Sequence, residues 1–137
     1  KNIRHRYGGG LADDDTLRDL RDLTHQIRRL PQLENLPLKV VWVIHFAPFV
    51  CSSTLELTGF RKVTLSARSV DVDAIFCGHT HVRATHKEDD VEIWCGGAAT
   101  SVDCESFIHV VEVDVKAGSC GVTDFKFDKS EGAFIAC

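Results

Sequence analysis

Two apolar runs that each end in histidine constrain this chain more than any other feature. KVVWVIHFAPF, residues 39 to 49, is nearly unbroken in its hydrophobicity from Val40 to Phe46, and Pro48 ends it. It lacks alternation and is rich in β-branched residues, the pattern of a strand buried on both faces in a parallel sheet. The second run, DVDAIFCG at 71 to 78, leads into His79 and His81. Between them, from about Phe60 to Ser69, residues Phe60, Val63 and Ala67 share one helical face. Strand, helix, strand in that order is one crossover unit, for which a right-handed connection is expected. The expected fold class is therefore α/β.

An amphipathic helix is expected before this unit. From Asp13 through Leu30 the apolar positions 17, 20, 23, 27 and 30 step by three or four, with charged residues between them. Asp13 to Asp15 supply an N-cap and negative charge at the helix's positive end, Arg28 and Arg29 suit its other end, and Pro31 forbids continuation. The acidic triplet needs no metal to explain it. Beyond the second run, VRATH, VEIWCGGAATS, FIHVVEVDV and GVTDFKF read as short strands, with turns at KEDD and KAGSCG. Residues 1 to 12 read as a flexible opening, and 13 to 137 as part of a single domain.

In a parallel sheet the carboxyl ends of neighbouring strands lie along one edge, where ligand sites form. His45, His79 and His81 all fall at such ends, so one mechanism accounts for the three positions. Neutral imidazole is a ligand for Zn, Fe, Mn or Ni, its second nitrogen oriented by a further partner. His86 lies about 17 Å further along an extended strand, too far for the same ion. His5, His25 and His109 are expected to be structural or solvated.

GHTH at 78 to 81, after an apolar strand, and IHFAP at 44 to 48, some thirty residues earlier, together resemble the last two motifs of the calcineurin-like metallophosphoesterases. The resemblance spans about residues 11 to 127 and covers the later half of the family pattern. It implies an α/β/β/α sandwich, here a parallel strand–helix–strand unit followed by a mainly antiparallel region. It also implies hydrolysis of phosphomonoesters or phosphodiesters at a site of two divalent ions. By the same resemblance His45 and His79 would serve one ion and His81 the other.

The family's earlier DxH, GDxxD and GNHD or GNHE motifs do not occur. They carry the carboxylate that bridges the ions, and two dications about 3.5 to 4 Å apart repel each other without one. Asp71 and Asp73 fall at the start of the second strand, on the opposite edge from His79. Asp89 and Asp90 belong to a turn; Asp103 and Glu105 follow the GGAATS loop, near enough to approach the site, though carboxylates near a strand start need no special role. The expectation is a chain that binds metal weakly and hydrolyses poorly by itself, partnered by a missing amino-terminal half. The opening KNIRHRYGGG and the absence of methionine point the same way. Two other readings stand beside it: a non-catalytic interaction module on this scaffold, and a mononuclear zinc hydrolase with three histidine ligands.

Composition adds exclusions. A net charge of -4 from 16 basic and 20 acidic residues does not indicate a nucleic-acid partner, and no apolar stretch is long enough for a membrane span. The six cysteines contain no CxxC pair, and Cys77 and Cys95 close apolar runs, where a small buried thiol fits. Reduced, structural cysteines in a cytoplasmic compartment are expected.

Overall fold

A computed structural model describes residues 10–49, 57–88, 90–97, 99, 105–117 and 119–137. After a two-residue strand β1 (Gly10–Leu11) comes helix α1 (Asp14–Arg28), capped by the Asp13 carboxylate, which accepts 2.9 Å from the Thr16 backbone N–H. Pro31 opens a single 3-10 turn, as its fixed φ and missing donor allow. Strand β2 (Val41–Phe46), the short β3 (Leu57–Thr58), helix α2 (Phe60–Ser69) and strand β4 (Ala74–Gly78) follow. A hairpin of β5 (Ala84–Glu88) and β6 (Val91–Cys95) comes next, then β7 (Phe107–Asp114), β8 (Ser119–Asp128) and β9 (Ala133–Ala136). The fold is mixed α/β, with parallel and antiparallel sheets.

The main sheet runs β2-β4-β6-β5: β2, β4 and β6 are mutually parallel, and β5 is antiparallel to β6. The strand–helix–strand unit read from the sequence is thus present. The antiparallel region is present too, with one addition: β6 turns back to lie parallel beside β4 as well as pairing with β5. The last three strands form a separate antiparallel sheet, β7-β8-β9.

Both helices cover one face of the main sheet. Leu17, Trp42, Val63, Ala67, Ile75 and Ile93 belong to the core between them, and Ile75 and Ile93 are completely buried. Each such side chain contributes about 1.5–3 kcal/mol through its removal from water. On α1 the buried stripe departs from the leucine pattern. Leu23 and Leu30 are exposed, whereas Thr24 is buried, its hydroxyl donating to Leu20 O at 2.8 Å and accepting from Trp42 Nε1 at 3.0 Å. A buried indole N–H needs an acceptor, and a threonine hydroxyl supplies one where a leucine could not.

The expectation that the first run is buried on both faces is corrected. Val43 is 78% exposed and His45 is exposed, because the helices cover only the other face of β2, an edge strand among the described strands of its sheet. The two-faced burial belongs instead to β4 and β6, which have neighbours on both sides; there Phe76 stacks on Trp94 at 4.9 Å.

The two sheets meet through polar contacts. His109 on β7 hydrogen-bonds the Asp124 carboxylate through Nδ1 and Cys95 O through Nε2, the latter at 3.1 Å, while Arg83 pairs with Asp124 at 2.8 Å. Its two ring nitrogens thus tie β7 to β8 and to the end of β6. The structural role expected of this histidine holds. His25 is exposed on α1 as expected, and His5 lies outside the described residues.

Candidate metal centre

The carboxyl ends of β2 and β4 bring two of the three nominated histidines together. His45 sits in an irregularity of the ladder: pairing is regular through Val43↔Phe76 and resumes at Phe46↔Gly78, so three steps on β2 (43 to 46) match two on β4 (76 to 78). One extra residue in a strand bends it and re-aims its side chains. The result is a contact of 3.0 Å between His45 Nε2 and His79 Nδ1, with ring centroids 4.8 Å apart. One of these nitrogens carries the shared proton and the other accepts it.

Phe46 braces the pair, its ring edge-on to His79 at 4.4 Å and to His45 at 4.9 Å. Gly10 allows this, because a Cβ there would stand 2.7 Å from the Phe46 ring. On the helix side of the same strand end, Leu17, Ile44, Phe46, Leu57 and Val63 line an apolar cleft of about 210 Å³ that reaches His45.

The loop after β4 is held in an uncommon backbone conformation. His79 and His81 have φ of 68° and 56°, the left-handed region that residues other than glycine enter sparingly. Thr80 anchors the loop between them. Its N–H donates to Gly78 O at 2.8 Å, and its buried hydroxyl meets Val82 O at 3.1 Å and Cys95 Sγ at 3.3 Å. Left-handed non-glycine residues cost of order 1–3 kcal/mol each and gather where the surrounding structure imposes them, often at functional sites.

Below the loop lies a thiol. Cys95 is completely buried and also touches Gly78 O at 3.5 Å. A hydrogen bond from the Cys77 thiol, then one from Thr80 and the nearby rings of His109 and His79, pull the Cys95 thiol down to about 6 against the opposing effect of burial. The burial expected of Cys77 and Cys95 holds.

His81 is exposed, and among the described residues no three His, Cys, Asp or Glu side chains gather as a metal-holding group, so it does not join the pair in one cluster. The carboxylates stand where the sequence put them. Asp73 lies at the start of β4, accepting from Lys39 Nζ and from the Val40 N–H, each at 2.8 Å. Glu105 is exposed and pairs with Lys126, Asp90 follows β5, and Asp89 and Asp103 lie outside the described residues. His86 stacks on Phe49 at 5.3 Å, away from the pair.

His45 Nε2 and His79 Nδ1 stand 3.0 Å apart in hydrogen-bond contact, somewhat closer than the about 3.4 Å that separates two imidazole nitrogens on one tetrahedral ion. Sequence reasoning missed Phe46, Thr80 and Cys95 as supports. Phe46 was signalled by its place beside His45 at the strand end and Thr80 by its place between two histidines, whereas nothing in local spacing marks Cys95. No protein-family model matches the chain, and no curated protein matches it.

Proposed function

We propose that this chain carries the histidine part of a metal-dependent phosphoester hydrolase site of the calcineurin-like type, with His45 and His79 holding one divalent ion and His81 serving a second. The ions would be Mn, Fe, Zn or Ni, and the substrate a phosphomonoester or phosphodiester. The observation that carries this reading is the 3.0 Å contact between imidazoles from the ends of two parallel strands. The left-handed backbone at His79 and His81 supports it, since a loop that only closed a strand would not need two such residues. A bound ion would polarise a phosphoryl oxygen and offset the charge that develops there.

The chain's own residues prepare that place. The irregular end of β2 aims His45, Thr80 fixes the course of the loop bearing His79, and Phe46 limits the tilt of both rings. Neutral imidazoles do not offset the repulsion between two dications, so in this reading the bridging carboxylate comes from an amino-terminal half of the same domain. The outermost position of β2, with Val43 exposed, suits the addition of further strands on that side.

A mononuclear zinc site is the second reading, favoured by the direct contact of His45 with His79. Calorimetric titration of the metal-free chain with Zn²⁺ and Mn²⁺ tests both. The expected result is weak binding that His45→Ala and His79→Ala each reduce at least tenfold, about 1.4 kcal/mol, with little further loss when the two are combined. One tight equivalent of zinc would favour the mononuclear site, and unchanged binding in both variants would overturn either reading. If the carboxylates come from outside, adding the amino-terminal half should restore Mn-dependent phosphoester hydrolysis that the chain alone lacks.

A further inference from the structure

We propose that Cys77 and Cys95 form a redox-active dithiol that closes to a disulfide under hydrogen peroxide and, in closing, displaces the loop that carries His79. This goes beyond the metal site and does not rest on it. The two residues are direct partners across the parallel β4–β6 pair, and both side chains belong to the helix-covered core. Cys77 is 8% exposed and Cys95 fully buried, so only a small oxidant, entering at Cys77, can reach the pair. Cys120 and Cys137, the other described cysteines, lie on β8 and at the end of the chain, Cys137 beside Arg83 and Asp124.

The geometry makes closure feasible and consequential. Neighbouring strands stand about 4.7–4.9 Å apart, inside the Cα separation of about 4.4–6.8 Å that a disulfide spans, but its Cβ atoms prefer about 3.8 Å. Closure therefore draws the ends of β4 and β6 together. The Cys95 thiol also contacts Thr80 Oγ1 at 3.3 Å and Gly78 O at 3.5 Å, on either side of His79. Oxidation replaces the Cys95 thiol by a disulfide sulfur that cannot donate to Gly78 O and accepts only weakly from Thr80, whose hydroxyl then keeps its Val82 partner.

The chemistry balances as a two-electron oxidation. A Cys thiolate attacks peroxide, giving a sulfenic acid and one water after proton transfer. The second thiol displaces the sulfenic oxygen, forming the S–S bond and releasing a second water. In sum two thiols lose two electrons and two protons, and one peroxide becomes two waters.

The test treats the folded, metal-free chain with hydrogen peroxide, quenches it with an alkylating agent and maps the cross-links by mass spectrometry. The expected product has lost two hydrogens and yields a Cys77–Cys95 cross-linked peptide, and a thiol reductant restores the starting mass. The His79 imidazole resonance should shift on oxidation in the wild-type chain and in a Cys120→Ser/Cys137→Ser variant, but not in Cys77→Ser. Cross-links confined to other cysteines, or stable sulfinic acid at Cys95 with Cys77 still alkylatable, would overturn the proposal. The wild-type map needs no variant, so poor folding of Cys77→Ser leaves that test intact. A cross-link that leaves the His79 resonance unmoved would overturn the coupling to the loop.

Discussion

The two ends of the same parallel strands hold charge in opposite ways. At the amino end, Asp73 is enclosed by Lys39, by the Val40 N–H and, at 3.8 Å, by Arg28. Every partner is a donor or a cation, so the carboxylate is fully engaged in joining α1 and β2 to β4, and its hydrogen bond raises the Lys39 pKa above its usual value. At the carboxyl end, two imidazoles hydrogen-bond each other at 3.0 Å, with His79 held in a left-handed backbone conformation. The carboxylate is enclosed by cations and donors, whereas the histidines meet one another.

That contrast can be broken from several directions, beginning with the core that supports both ends. Ile93→Ala should cost about 2–5 kcal/mol, because Ile93 is completely buried beneath the helices; a urea midpoint shared by both ends of the sheet would show that they unfold together. Removing the carboxylate in Asp73→Ala should cost about 1–3 kcal/mol, since it leaves the Val40 N–H and the Lys39 ammonium without their acceptor. This variant should leave zinc affinity nearly unchanged. His79→Ala should do the reverse, weakening zinc binding at least tenfold while moving the urea midpoint little, because the loop loses a ring but keeps the Thr80 anchor. Equal losses of stability in the two variants would erase the contrast.

The smallest effect concerns the cap of α1, an exposed acid with no part in either end. Hydrogen bonds from the Thr16 backbone and then its hydroxyl hold the Asp13 carboxyl below its usual value. A lowered folded value means that the ionised cap stabilises the helix above the unfolded carboxylate range and loses that contribution as pH falls through the folded value. Helicity followed by circular dichroism should therefore be flat near neutrality and fall in acid. Asp13→Asn, which caps without ionising, should flatten the acid part of that curve; an unchanged curve would show that other groups govern the loss.

Much of this was readable before any coordinates. Helix α1 came from the leucine spacing, Asp13 and Pro31, and the β2–α2–β4 unit from two apolar runs with a helical stretch between. The candidate pair came from histidines at two strand ends. What was not readable depended on neighbours distant in the chain. Thr24 lies inward because Trp42 needs an acceptor, and Val43 is exposed because the helices cover only the other face of the edge strand β2. β6 joined the parallel set because its apolar residues fill the core beside β4, a choice that its hairpin with β5 does not reveal. The last strand, β9, was not expected; its short FIA core carries little periodic signal.

From the order of residues alone came the local choices: where the chain is helical, where it is extended, and which histidines stand at strand ends. These follow from periodicity, capping and proline, which act over a few residues. Tertiary structure decided which histidines meet. The bulge at residues 44–45 and the left-handed turn at His79 join two side chains 34 residues apart, while His81, only two residues on, stays out of their cluster. Side-chain direction depends on the ladder register and on local φ, and both are set by packing between segments that sequence proximity does not relate.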